Sequence, residues 1–254
     1  MRFEKWQALG NDYLIVEGAE IDPERVRALC DRHFGVGADG VLALGPADEP
    51  GFVARLRIYN PDGSEAELSG NGARQALLYL RERGWTRSLA YSIQTIAGEI
   101  RATVTGKHTC RVDMGRAVVR FEGEVEGRRF QHITVGNPQT AIRVDSRDEL
   151  EGLDLAAIGP PIENAEQFPD RTNVSFWTDV APNRIRARIF ERGVGETTAS
   201  GTGASGAAVA HVLRGGDSPV TVVLDGGELE VDVDESLHID LTGWAVPVFR
   251  GELS

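Results

Sequence analysis

Apolar and charged residues alternate along Phe52-Val-Ala-Arg-Leu-Arg-Ile58 and again along Arg184-Ile-Arg-Ala-Arg-Ile-Phe190. That is the period of a strand with one solvated face. Past each strand a Gly-poor, Ala/Leu-rich stretch follows, Ala73 to Arg83 and Ala204 to Leu213. The composition of these stretches predicts helices. A third helix is predicted from Asp22-Pro23 to about His33, with Asp as N-cap and Pro at the first helical position. Short strands are predicted at Leu89–Thr95, Ile100–Val104, Val118–Phe121, Val220–Leu224 and Leu229–Val233, and alternation is also present from Phe3 to Ala8. Pro160-Pro161 and Gly136-Asn-Pro138 predict loops. The pattern as a whole predicts an α+β, strand-rich chain with one principal helix per half.

The two principal helices are introduced by the same phrase, Glu65-Ala-Glu-Leu-Ser69-Gly-Asn-Gly-Ala73 and Glu196-Thr-Thr-Ala-Ser200-Gly-Thr-Gly-Ala204. Aligned on the serines, the copies share Glu at minus four, Ser-Gly-x-Gly-Ala, and Ala at plus seven (Ala76, Ala207). About sixty residues upstream of each lies a Gly-Asn pair, Gly10-Asn11 and Gly136-Asn137, and nine residues upstream a polar side chain, Asn60 or Glu191. A single repeat of roughly 130 residues predicts two tandem, pseudo-symmetric domains rather than a solenoid. The expected division is 1–115 and 116–244, with the last strand, Val246 to Arg250 within 245–254, returning to the first domain.

Composition narrows the function more than the fold. The chain has 254 residues, is 41% hydrophobic and 26% charged, and carries a formal net charge of -12, which argues against nucleic acid as a partner because such binders present a basic face. Lys5 and Lys107 are the only lysines among 27 basic residues, a skew ascribed first to genome composition. Cys30 and Cys110 cannot make a disulfide framework and have no metal-ligand spacing, so no metal is expected. No run reaches the length of a membrane span, and the start of the chain has no apolar signal core. A cytoplasmic protein is expected.

A Ser-Gly-x-Gly element at a helix start offers backbone N–H groups and the positive end of the helix dipole to a carboxylate or phosphate. The bland alternative is that Ser69 and Ser200 are ordinary N-caps followed by turn glycines. One copy favours that alternative; two copies with matching upstream groups favour a site. Gly35-Val-Gly-Ala-Asp-Gly40 and Gly201-Thr-Gly-Ala-Ser-Gly206 satisfy a dinucleotide-loop pattern in letters only. The first leads into a strand, and the second lies too far past its own strand. Five histidines lack HxxxH spacing and no GxSxG elbow occurs, which leaves hydrolase readings little support.

The motifs Leu9-Gly-Asn-Asp-Tyr13, His33-Phe-Gly-Val-Gly-Ala-Asp-Gly40, Tyr59-Asn-Pro-Asp-Gly-Ser-Glu65, Ser69-Gly-Asn-Gly-Ala-Arg74, Gly136-Asn-Pro138, Arg171-Thr-Asn-Val174 and Glu191-Arg-Gly-Val-Gly-Glu-Thr197 with Ser200-Gly-Thr-Gly203 together resemble the diaminopimelate epimerase family. They occur in the family's order across nearly the whole chain. The resemblance implies two pseudo-symmetric α/β domains with the active site in the cleft between them, usually in a homodimer. It also implies a cofactor-independent interconversion of LL- and meso-diaminopimelate for lysine and cell-wall synthesis. Carried over by position, the substrate contacts fall on Asn11, Asn60, Gly70, Asn71, Asn137, Asn173, Glu191, Arg192, Gly201 and Thr202. Asn60, Asn173 and Arg192 would hold the distal amino and carboxyl groups, and the N–H groups of Gly70-Asn71 and Gly201-Thr202 the carboxylate of the reacting centre.

The chain departs from the family's pattern at two kinds of position. The family's two acid/base groups are cysteines, where this sequence has Ser69 and Ser200, and its usual histidine after Gly-Asn-Pro is Gln139. A thiol near 8.5 is readily ionised at a helix terminus, whereas a serine hydroxyl is a far weaker acid. Three accounts fit the residues. The serines move the proton themselves with help from Glu65, Glu196 or Glu191; the sequence is a Cys-to-Ser variant; or the chain binds an amino acid without epimerising it.

Overall fold

The computed structural model describes residues 1–18 and 21–253. It divides into two compact units, 1–112 with 243–254, and 113–242. Their elements follow one another in the same order. In the first unit these are β1 (Arg2–Ala8), β2 (Asn11–Glu17), α1 (Pro23–Cys30), β3 (Val41–Gly45), β4 (Arg55–Tyr59), β5 (Glu65–Ala66), α2 (Gly70–Glu82), β6 (Ala90–Thr95), β7 (Gly98–Val104) and β8 (Thr109–Arg116), along which the boundary falls. The second has β9 (Val118–Val125), β10 (Arg128–Val135), β11 (Asn137–Arg143), α3 (Arg147–Glu151), α4 (Leu155–Glu163), β12 (Asn173–Ala181), β13 (Arg184–Glu191), β14 (Gly195–Thr197), α5 (Gly201–Leu213), β15 (Val220–Leu224), β16 (Gly227–Val233) and β17 (His238–Trp244). The final strand, β18 (Val246–Glu252), pairs antiparallel with β1 as β9 pairs with β10.

Pairing repeats with the order. In each unit an antiparallel hairpin (β1–β2, β10–β11) is followed by a parallel neighbour (β3, β12), an antiparallel one (β4, β13) and a second parallel one (β6, β15). The short strands β5 and β14, of two and three residues, fold back on β4 and β13 and deliver the chain to the principal helix. α5 packs against β10, β11, β12, β13, β15 and β16 of its own unit, and α2 against β1, β2, β3 and β7. Both helices are therefore buried over nearly their whole length. Burying each large aliphatic or aromatic side chain contributes about 1.5–3 kcal/mol relative to exposure. No helix among the described residues is long and apolar enough to cross a membrane.

Local differences from the predicted elements have identifiable causes. Both principal helices start three residues earlier than their Ala-rich stretches, because the glycines after each serine are themselves helical. α1 stops at Cys30, short of His33, where Asp31 Oδ1 accepts the N–H groups of His33 and Phe34 at 2.7 and 2.8 Å and diverts them from the helix. Residues 52–54 lie outside the regular ladder of β4, although Val53 still donates to the Ser92 carbonyl at 2.9 Å. β9 runs on past Phe121 to Val125, carried by its pairing with β10.

The predicted loops at Pro160-Pro161 and Gly136-Asn-Pro138 are incorrect. Both prolines are inside α4, which survives two missing N–H donors because Leu155 and Ile162 belong to the buried cluster that includes Phe176 and Phe190. Asn137 and Pro138 open β11, and only Gly136, at φ 72°, makes the turn from β10. The corresponding turn between β1 and β2 is Leu9-Gly10, both at positive φ (53° and 86°), as a two-residue hairpin loop requires.

The seating of α4 yields a prediction. A Cβ at Gly159 would lie 2.5 Å from Cγ of the Phe190 ring, so Gly159→Ala should destabilise the protein by about 1–3 kcal/mol. Thermal denaturation should show a lower midpoint. An unchanged midpoint would mean that α4 does not bear on Phe190.

Candidate active site

Each principal helix begins on a serine held in extended geometry, Ser69 at φ -139°, ψ 115° and Ser200 at φ -136°, ψ 126°. Ser69 Oγ accepts from Gly72 N at 3.0 Å and Ser200 Oγ from Gly203 N at 3.2 Å. The glycines are needed for proximity: a Cβ at Gly203 would meet Ile189 Cδ1 at 2.7 Å, and one at Gly72 would meet Leu42 Cδ2 at 3.0 Å. The first N–H groups of such a helix have no carbonyl partners within it, and they carry the positive end of the dipole. Gly70-Asn71 and Gly201-Thr202 occupy those positions.

The shared glutamate at minus four has a structural role in both copies. Glu65 takes a forked pair of hydrogen bonds from Arg57 at 2.9 and 2.8 Å, and Glu196 is held by Arg188 at 2.9 and 2.6 Å. Each pair clamps its short strand, β5 or β14, against the preceding one. The Arg57 guanidinium keeps the Glu65 carboxyl below the usual range. Neither acid is bonded to a serine, so the relay role allowed for Glu65 and Glu196 is not supported by this geometry.

Glu191 is different. Its Oε2 accepts from Ser200 Oγ at 3.2 Å and its Oε1 from Thr197 Oγ1 at 2.8 Å. Burial raises its carboxyl above the usual glutamate value, although the two hydroxyl donors pull the other way. A carboxylate next to a hydroxyl, in a place that disfavours its charge, is a proton acceptor for that hydroxyl. Asn60, the equivalent residue in the first unit, donates instead to Ser64 Oγ at 3.0 Å.

The remaining predicted residues of the second unit are each held by hydrogen bonds within that unit. Asn173 donates to the Pro138 carbonyl at 2.9 Å and accepts from Arg192 N at 2.9 Å. Gln139 donates to Asn137 Oδ1, and the Arg192 side chain donates to the Asp170 carbonyl at 2.7 Å. Glu163 of α4 accepts from Gly193 N at 2.9 Å and pairs with Arg171, which fixes the loop that carries Arg192.

In the first unit, Asn11 donates to Asp39 at 2.8 Å, and its carbonyl accepts from Gln75 of α2 at 3.0 Å. Asp39 and the adjacent Asp12 share Arg32, and Lys5 bonds Asp12 at 2.6 Å. Burial alone would raise the Asp12 carboxyl; the Arg32 and Lys5 charges overcome it and hold it at about 2.

Two residues within the quoted motifs have environments that the sequence did not single out. Tyr13 donates from its hydroxyl to Ser69 Oγ at 3.2 Å. Arg74, on the first turns of α2, is fully buried and donates to Asn71 Oδ1, while its Nε and Nη1 make no hydrogen bond among the described residues. Burial pushes its guanidinium down to about 10. An arginine in the middle of a buried Ala/Leu stretch was the available signal. Cys30 and Cys110 are buried, and burial pushes their thiols up to about 11 and about 12, away from reactivity.

A duplicated strand-rich unit, each copy with a serine-capped principal helix, is a two-domain α+β fold that other solved proteins share. Solved structures of this fold include a PhzF-family phenazine biosynthesis protein from Bacillus anthracis (TM-score 0.78, 17% identity, covering 100% of this chain and 99% of that one). A hydroxyproline epimerase from Agrobacterium vitis is also similar (TM-score 0.69, 17% identity, 99% and 91%). The family model described as diaminopimelate epimerase matches residues 3–120 and 132–246. A diaminopimelate epimerase of Synechococcus sp. (strain JA-2-3B'a(2-13)) is 41% identical over 278 residues, spanning 99% of this chain and 97% of that protein. One from Magnetococcus marinus is 41% identical over 274 residues, with 99% and 96% covered. The chain belongs to the diaminopimelate epimerase family.

The environment of Glu191 predicts a stability signature. Its folded-state carboxyl keeps a proton to higher pH than the unfolded chain does, so stability is lost as pH rises from the ordinary glutamate range, about 4.3, through the raised value. Glu191→Gln should therefore melt higher than wild type at pH 7, and the advantage should close as pH falls below about 4. A difference in melting that does not depend on pH would refute this assignment of charge.

Proposed function

We propose that this protein is a diaminopimelate epimerase that interconverts the LL and meso isomers by moving the proton at one Cα, in lysine and peptidoglycan precursor synthesis. The observation that carries the proposal is the pair of equivalent serine-capped helix starts, one of them bonded to a buried carboxylate, in a member of this family. Inversion at a carbon needs a group that removes a proton from one face and a group that returns one to the other. Ser69 and Ser200 are assigned to those tasks.

In this reading the reacting carboxylate binds the N–H groups of Gly70-Asn71 and Gly201-Thr202. Its charge grows as the Cα proton leaves, and donors already in place stabilise that growth without rearranging. By the family resemblance Asn11 and Asn137 also contact the substrate, and Asn60, Asn173 and Arg192 take its distal amino-acid head, which favours a diamino dicarboxylate over a proline-like substrate. Ser200 acts as a base because its own proton passes to Glu191, so no free alkoxide has to form. Each unit by which a hydroxyl's acidity would otherwise have to be raised costs about 1.4 kcal/mol. No cofactor enters the chemistry. The proposal extends to a cytoplasmic homodimer, supported by the family resemblance.

Incubation with LL-diaminopimelate in heavy water, followed by proton NMR, tests the function. The α-proton signal should disappear as the meso isomer appears. Binding without exchange would overturn the catalytic reading and leave an amino-acid-binding protein. Ser69→Ala and Ser200→Ala should each lower kcat by about 10²-fold or more. With Glu191 required in its charged form, the wild-type rate should fall on acidification through the raised Glu191 range, and Glu191→Gln should lose that limb.

A further inference from the structure

We infer that Tyr13 is the positioning residue for Ser69 and the source from which the Ser69 proton is replaced, an assignment that rests on the epimerase reading above. The two serines are not equivalent. Ser200 donates to a carboxylate, whereas Ser69 Oγ receives two hydrogen bonds, from Gly72 N at 3.0 Å and from the Tyr13 hydroxyl at 3.2 Å. With both of those contacts pointing in, the Ser69 proton is left to point elsewhere, toward a ligand at the helix start. Ser69 is thereby arranged as a proton donor with a second donor behind it.

The placement of Tyr13 is enforced. It sits on β2 opposite Trp6, two residues after Asn11, and its side chain is buried. Its ring lies over Gly40, where a Cβ would come within 2.6 Å of Cε1. Any side chain at 40 would displace the ring from this position. Counted from the Gly-Asn pair, the corresponding residue of the second unit is Gln139, which turns to Asn137 rather than to Ser200. The second unit has its carboxylate at the Asn60 position instead. The duplication has thus given one serine an acceptor and the other a donor.

The chemistry balances. On return of the proton, a C–H bond forms at Cα as the Ser69 O–H bond breaks, and the Tyr13 O–H proton passes to Ser69 Oγ. The negative charge comes to rest on a phenolate, a much more stable anion than an alkoxide, and no serine alkoxide is left behind. The proton lost from the substrate is held on Glu191, which releases it to water, and the phenolate takes one from water. In the reverse direction the phenolate is the base acting through Ser69.

Tyr13→Phe keeps the ring over Gly40 and removes only the hydroxyl. With LL- and meso-diaminopimelate as probes, kcat should fall by about 10²-fold in both directions while KM stays within about twofold. In the direction in which Tyr13 gives up its proton, the wild-type rate should decline at alkaline pH, and that decline should be absent from the variant. The same substitution made in a Ser69→Cys background should cost about tenfold less, because a thiol supplies a proton without a second donor. An active wild type with an equally active Tyr13→Phe variant and an unchanged pH profile would overturn the relay and leave the epimerase intact. An equal loss in the serine and cysteine backgrounds would reduce Tyr13 to a packing role. A wild type that exchanges no α-proton would remove the epimerase reading, and the relay with it.

Discussion

The start of a helix buried over nearly its whole length is the constraint on which the rest of this structure depends. α2 and α5 are wrapped by strands of their own units, so their first N–H groups can be satisfied only at the one end left open. One of those groups is taken by the serine at the N-cap. At the glycines that follow, only the absence of a side chain lets the surrounding strands come as close as Ile189 and Leu42 do. The strand pair preceding each helix, locked by Arg57–Glu65 or Arg188–Glu196, sets the angle at which the chain enters the cap. Both units solve this problem with the same residues, which explains why so much of the repeat survives there.

The differences between the copies lie in charge rather than in shape. Ser200 has Glu191 where Ser69 has Asn60; Ser69 has Tyr13 where Ser200 has Gln139; and α2 carries Arg74 where α5 carries Ser205, whose hydroxyl simply bonds back to the Gly201 carbonyl. Three substitutions at matched positions turn two equivalent hydroxyls into one that gives up its proton to an acid and one backed by donors. Proton transfer through serine, a poor acid, needs that asymmetry more than transfer through a thiol would.

Much of the frame was legible in the sequence because it rests on local rules: alternation in the strands, the Asp22 cap of α1, and the doubled phrase that fixes both principal helices. The misread stretches are those where packing overrides propensity. Pro160 and Pro161 break hydrogen bonds inside α4, yet the helix persists on its apolar contacts with the Phe176 and Phe190 cluster. The proline at 138 read as a loop because nothing local shows that Gly136 alone can make the turn. Within the candidate site, the identity of the serines was visible while their partners were not. Tyr13 and Ser69 are 56 residues apart, and Glu65 and Glu196 resemble proton relays in one dimension although each is spent on an arginine.

Two groups near the helix starts work against the fold. Glu191 is half-buried in a place where its charge is disfavoured, and Arg74 is fully buried with two of its three nitrogens unbonded among the described residues. Burying a charge without a partner is strongly unfavourable, and a well-packed apolar side chain in its place is often neutral or stabilising. Folding alone would select such a replacement at position 74, next to the buried Ala73 and a turn before the buried Leu77 and Leu78. A fixed cation at the start of α2 and a reluctant anion beside the start of α5 are instead what a reaction would select if it builds negative charge on a carboxylate and must store a proton. The stability lost at these two positions is offset by the strands around them, so the same sheets that leave each helix only one open end also allow that end to hold charges that it would otherwise expel.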